Sequence, residues 1–200
     1  MPRTVPDILN ATPRDQALVM GILNVTPDSF SDGGKYLDPQ TAARQAKDML
    51  DAGAEIIDIG AESTRPGSQP VAPDEQIRRI EPIVPAILET GAVVSIDTTS
   101  AEVARCALKW GVQIVNDVSA GRDDPEMLGL VADSGAVIVL MHMLGAPRTM
   151  QSNPQYGDVV SEVTGFLAER IEAAHNAGID AGNIIVDPGI GFGKTLEHNL

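Results

Sequence analysis

The 200-residue sequence predicts an α/β chain of the (β/α)8 class, the TIM barrel, with about six of its eight βα units present. Three observations predict it. Short apolar runs that read as strands alternate strictly with longer runs of helical period, as in a parallel sheet covered by helices. Each strand-like run ends in a polar residue or feeds one within a few positions: Asn24, then Glu62, Thr64 and Arg65, then Asp97, Asn116, His142 and Asp187. The longest connections, 25–38, 61–72 and 143–157, all follow strands, as binding loops on one rim of a barrel do. A doubly wound open sheet would place its ligand loops after only one or two strands, so the barrel is the better reading.

The expected strands are 18–25, 55–59, 92–96, 112–115, 136–141 and 183–186, and the expected helices 41–52, 73–89, 101–110, 125–134 and 159–177. Ala42, Ala43, Ala46, Met49 and Leu50 make an apolar stripe at helical spacing, as do Ile77, Ile80, Val84, Ile87 and Leu88. Pro82 and Pro85 are expected to kink or split the second helix. Gly53, Gly91, Gly111, Gly135 and Gly178 each stand just past a periodic run, where a helix stop is expected. A closed barrel needs two further βα units and typically about 250 residues. The chain is therefore expected to be a C-terminally truncated barrel, with a lead-in over 1–16 and one incomplete domain over 17–200.

Composition narrows the function classes. A hydrophobic share of 43% describes an ordinary globular chain, and the formal charge of −14 supplies no basic face for DNA, RNA or an anionic membrane. No apolar run approaches the roughly 20 residues of a membrane span. The start, with Pro2, Arg3, Pro6 and Asp7, lacks the apolar core of a signal peptide, so a cytoplasmic location is expected. Cys106 is the only cysteine, which excludes an intrachain disulfide and a thiolate zinc site; it is expected to be a buried structural thiol.

Asp97, Asn116 and Asp187 each end an apolar strand. Two carboxylates and an amide at one barrel mouth accept several N–H bonds and suit a flat nitrogen heterocycle with an exocyclic amine. The competing reading is that the aspartates cap the helices that follow. The run from Gly189 to Thr195 invites a nucleotide-binding reading, and the spacing argues against it: a P-loop would need glycine where Pro188 stands, and a dinucleotide fingerprint would need it where Lys194 stands. The glycines instead allow a tight turn at the rim, with Phe192 offering an aromatic face. Arg65, among Ser and Thr hydroxyls, is a candidate clamp for phosphate or carboxylate. Asn24, Asp28 and Asp32 are candidate oxygen donors to magnesium. His142 is read as structural, and Met141 and Met143 as packing groups.

The segments Asn24-Val-Thr-Pro-Asp-Ser-Phe-Ser-Asp, Glu62-Ser-Thr-Arg-Pro-Gly, Ser95-Ile-Asp-Thr, Asn116-Asp, Met141-His-Met and Asp187-Pro-Gly-Ile-Gly-Phe-Gly-Lys occur in this order. Together they resemble dihydropteroate synthase over nearly all of residues 17–200. The resemblance implies an enzyme of folate synthesis that joins p-aminobenzoate to 6-hydroxymethyl-7,8-dihydropterin diphosphate and releases pyrophosphate. It implies that Asp97, Asn116 and Asp187 hold the pterin and that Met141 lines its pocket. Asn24 then stands at Mg²⁺ and pyrophosphate, and Thr64, Pro66 and Phe192 border the p-aminobenzoate site. Arg65, Phe30 and Asp32 belong to two closing loops. The partners implied are these small molecules, and the resemblance admits a homodimer.

Ile190 departs from the phenylalanine common in the family. The family's Ser-Arg-Lys and Arg-Val-His segments, which would fall on the seventh and eighth strands, are not in this sequence. The 200 residues alone are therefore expected to be inactive and poorly folded. Two rival readings are a pterin-dependent methyltransferase barrel and a non-catalytic pterin-binding paralogue.

Overall fold

The structure, a computed structural model, describes residue 5 and residues 16–25, 38–62, 70–145 and 149–200. Among them, six parallel strands pair in strict chain order: β1 (Met20–Asn24), β2 (Ile56–Gly60), β3 (Val93–Asp97), β4 (Ile114–Asp117), β5 (Val137–Met141) and β6 (Ile184–Asp187). Unbroken sequential order belongs to a barrel wall, whereas a doubly wound sheet reverses direction at its switch point. The helices are α1 (Pro39–Asp51), α2 (Pro73–Ile80), α3 (Ile83–Leu88), α4 (Ala101–Trp110), α5 (Met127–Ser134), α6 (Val159–Asn176) and α7 (Leu196–Asn199), with a 3₁₀ turn at Ala181–Asn183.

Side chains alternate across each strand, so each strand feeds two different cores. Leu23, Ile57, Ile59, Val94, Ile96, Val115, Ile138 and Leu140 point outward and pack with Ala42 and Ala46 of α1, Ile80 of α2, Ile87 of α3, Ala104 of α4, Val131 of α5 and Ala174 of α6. All these helices cover one face. The opposite, inner face holds a smaller cluster of Ile56, Val93, Ile114, Val137 and Val139, joined by Met20, Ile185 and Val5. Helices on one side and an apolar floor on the other make this the wall of a (β/α) barrel, which is not closed among the described residues.

The helix expected over 73–89 is split, as Pro82 predicts: α2 ends at Ile80, and Pro82 stands at the start of α3. Pro85 lies in the first turn of α3, where no intrahelical N–H bond is lost. Gly111, at φ 107°, closes α4 in the left-handed conformation that the expected helix stop requires. The helix expected from 125 begins only at Met127, because residues 125–126 form a turn in which Asp124 Oδ1 accepts from Glu126 N at 3.0 Å. Cys106 is half-buried rather than buried. Among the described residues no helix is long and apolar enough to cross a membrane.

Candidate active site

The carboxyl ends of the strands converge on the inner face. Asn24, Gly60, Asp97 and Asn116 lie opposite one another across β1 to β4. Asp58 and Ser95, two residues earlier on their strands and themselves paired in register, lie one layer deeper on the same face. Asn116 Nδ2 donates to Asp58 Oδ2 at 3.0 Å, reaching across β3 from β4 to β2. Strands two apart in a flat sheet lie roughly 9.5 Å from one another, so this bond forms where two side chains lean inward across the curved wall. A Cβ on Gly60 would stand 3.3 Å from Asn24 Oδ1 and 3.5 Å from Asp97 Oδ2. The missing side chain leaves room beside those two oxygens.

Among the described residues the charge around Asp97 is negative. Burial pushes Asp97 well above the usual carboxylate range, and the neighbouring Asp58, Asp117 and Glu62 carboxylates push it further. Burial also raises Asp58, against the pull of the Asn116 amide. Glu62 is raised by burial as well, with the Val71 backbone and Arg79 working against it. Its Oε2 accepts from Gln76 Nε2 at 2.8 Å, which ties the end of β2 to α2.

Helix capping does not account for the aspartates. The first N–H of α4, at Ala101, is taken by Asp124 Oδ2 at 2.8 Å, from a loop 23 residues further on. Asp97 lies upstream of that helix and faces the mouth. Asp187 Oδ1 accepts from Gly189 N at 2.7 Å, a local turn that fixes the carboxylate at the end of β6. Asp117, by contrast, is spent on structure: it accepts from Ser119 N at 2.8 Å, Ser119 Oγ at 2.7 Å and Gly121 N at 2.7 Å. Those bonds hold the β4 loop with Ala120 at φ 55°.

The glycine-rich loop is organised around a buried cation. Lys194, 5% exposed, donates through Nζ to Gly189 O at 3.0 Å, Phe192 O at 3.2 Å and His142 Nδ1 at 3.0 Å. An ammonium has no acceptor, so His142 Nδ1 must accept; the ring is the neutral tautomer with its proton on Nε2. Burial lowers the pKa of both groups, and for His142 the Lys194 charge lowers it further. Tyr156 Oη donates to Gly193 O at 2.8 Å, and the Gln151 side-chain amide donates to the Gly191 carbonyl. With its lysine turned onto its own carbonyls, this loop does not cradle phosphates as a P-loop does, in keeping with the sequence spacing. Phe192 packs against Val118, Met141, Met143 and Met150, where the methionines act as packing groups. His142 is buried and structural.

Of the expected site residues, the structure brings Asn24, Asp97 and Asn116 into one row, with Asp187 and Met141 opposite each other across β5 and β6. Phe30, Asp32, Thr64, Arg65 and Pro66, with Asp28, lie outside the described residues. Sequence reasoning passed over Asp58, which stands inside the apolar run Ile-Ile-Asp-Ile-Gly. Its distance of two residues from the strand end places it on the same face as the neighbouring strand-end groups, a signal that was available.

The wall and its acidic, amide-bearing mouth define a (β/α)-barrel protein whose strand ends offer carboxylate and amide oxygens to the inner face. The model of pterin binding enzymes matches residues 20–200, and the chain belongs to that family. It is 50% identical over 183 residues to the dihydropteroate synthase of Mycobacterium leprae, covering 90% of this chain and 64% of that protein. Among solved structures it is similar to the Yersinia pestis dihydropteroate synthase with a sulfonamide drug complex, at TM-score 0.85 and 41% identity, covering 94% of this chain and 70% of that one. It is also similar to the Xanthomonas albilineans dihydropteroate synthase with 4-aminobenzoic acid, at TM-score 0.84 and 45% identity, covering 92% and 66%. The chain thus spans slightly less than two thirds of the length of the M. leprae relative.

Proposed function

We propose that this chain carries the pterin pocket and one substrate rim of a dihydropteroate synthase. The enzyme condenses 6-hydroxymethyl-7,8-dihydropterin diphosphate with p-aminobenzoate to give 7,8-dihydropteroate and pyrophosphate. One observation carries the reading: Asp97 and Asn116 face each other in register on the inner wall, beneath an acidic mouth. Carboxylate and amide oxygens so placed are acceptors waiting for N–H donors, and a pterin edge supplies them.

In this reading Asp97, Asn116 and Asp187 hold the pterin, and Met141 lines its pocket. Thr64, Pro66 and Phe192 border the arylamine, and Arg65, Phe30 and Asp32 close over the site. The carbon–oxygen bond of the pterin methylene breaks, and its electron pair leaves with pyrophosphate. The arylamine lone pair forms the new carbon–nitrogen bond, and the amine proton goes to water. Positive character developing on the pterin methylene is stabilised by the half-buried carboxylate of Asp97 at the end of β3. Arg65 meets the departing diphosphate.

The residues present fit Mg²⁺. Asn24 Oδ1 and Asp97 Oδ2 are hard oxygen donors flanking Gly60. Such a sparse donor set suits an ion that takes several of its ligands from substrate phosphates. Held by Asn24 and the diphosphate, Mg²⁺ would supply charge neutralisation at the leaving group.

The test is pyrophosphate release from the pterin diphosphate by the full-length gene product, with and without p-aminobenzoate. Release that depends on p-aminobenzoate and is lost in Asp97→Ala is expected. Full activity in that variant refutes the pocket assignment, and pterin binding without turnover in the wild type identifies a non-catalytic pterin binder.

A further inference from the structure

Asp58 is a carboxylate in the middle of an otherwise apolar strand, 3% exposed, and it is used by no step above. Its Oδ2 accepts from Asn116 Nδ2 at 3.0 Å, while its Oδ1 and the Ser95 hydroxyl have no hydrogen-bond partner among the described residues. Burying a carboxylate this way is costly. A serine or asparagine would fill the space and bond Asn116 at lower cost. What an ionised carboxylate does that neither can is accept without ever donating. Opposite an amide, that fixes polarity: the NH₂ end of Asn116 must turn down toward Asp58, and its Oδ1 must turn away.

We infer that Asp58 is a positioning residue that locks the Asn116 amide with its oxygen toward the mouth, so that the site presents Asn116 and Asp97 together as acceptors. The lock selects a ring edge that offers N–H donors and rejects one that offers bare ring nitrogens. Without it, the Asn116 amide has two orientations of similar energy, and one of them sets a donor against the ligand's own N–H. Asp58 never touches the ligand in this account; it acts only through Asn116. The inference rests on the pterin reading of the site and deepens it.

The test is a polarity exchange in the full-length gene product, read as the Kd of 6-hydroxymethyl-7,8-dihydropterin by calorimetry, with a melting curve for each variant. Asn116→Asp sets two carboxylates against each other and is expected to weaken binding about tenfold or more. Adding Asp58→Asn restores the hydrogen bond with donor and acceptor exchanged, and position 116 still presents an oxygen upward. The double variant is therefore expected to recover to within about threefold of the wild type. These exchanges preserve size and shape, so the test does not depend on a cavity-forming variant folding.

As a second arm, Asp58→Ala is expected to weaken binding about tenfold in the wild type and to change nothing further in an Asn116→Ala background. A double exchange that stays as weak as Asn116→Asp overturns the inference. Equal losses from Asp58→Ala in both backgrounds do the same, because Asp58 would then act independently of Asn116. A wild type that binds no pterin removes the functional reading itself, and with it this inference; a wild type that binds without recovery in the exchange removes the inference alone.

Discussion

The inner face of β1 to β4 and the loop after β6 solve opposite electrostatic problems. On the wall, Asp58 and Asp97 are crowded by protein and by each other, and the neighbouring charges acting on Asp97 are all negative. In the loop, Lys194 is buried as well, yet its three donors are matched by two carbonyls and a histidine nitrogen. Both sites carry a cost of burying charge. Among the described residues only the loop sets matched partners around its charge, and its result is a fixed backbone. The wall sets no cation against Asp97 among the described residues, and such open valence is what a ligand completes. Strain left in place marks the site, and charge satisfied locally marks the scaffold.

The largest effect expected from breaking the contrast lies in the loop. Gly189, at φ 66°, leaves no space for a Cβ, which would overlap the His142 carbonyl oxygen. Gly189→Ala is expected to cost about 3 kcal/mol or more in a denaturant titration, because neither the backbone there nor β5 can yield. A midpoint equal to the wild type's would mean that the loop is not clamped. Lys194→Met comes next. It keeps the length of the side chain but strands two carbonyls and a histidine nitrogen, for an expected loss of about 1–3 kcal/mol. Removing the cation also removes one cause of the low His142 pKa, so the imidazole should titrate closer to its ordinary value in an NMR titration.

The smallest effect is a pH dependence. His142 has its folded-state pKa lowered below 6.5, so as pH falls through that window the unfolded chain takes the proton first and stability drops. In His142→Gln this contribution is absent, since the amide oxygen accepts from Lys194 without titrating. The stability gap between the two proteins is expected to change between pH 7.5 and about 5 in favour of the variant. Parallel curves would show that His142 titrates alike in the folded and unfolded states.

The sheet and its helices were legible because their signals are local. Apolar runs, helical stripes, Pro82 and the stop at Gly111 each act within a few residues of themselves, and each stands where the pattern requires. What was not legible depends on contacts far apart in sequence. The start of α4 is held by Asp124, 23 residues away, and no local rule reveals it. Asp58 disappears into a run of isoleucines until the register of β2 against β3 sets it beneath Asp97. Lys194 invites a phosphate-binding reading from its glycines, and only the fold shows its ammonium turned inward onto His142, 52 residues away. Strand ends could be read for polarity, but whether a polar group is satisfied there is decided by its neighbours in space.

The central claim, that the acidic wall is kept at a cost to stability for the sake of binding, is tested most directly with Asp97→Asn. The folded-state pKa of Asp97 lies well above its ordinary 3.8, so ionising this carboxyl costs the folded protein stability. Removing that charge is expected to raise Tm at pH 7 and to weaken dihydropterin binding about tenfold or more. The gain in Tm should shrink as pH falls toward 3.8, because the folded wild type takes its proton before the unfolded chain does. A variant that is less stable at pH 7, or one that binds the pterin as well as the wild type, contradicts the account.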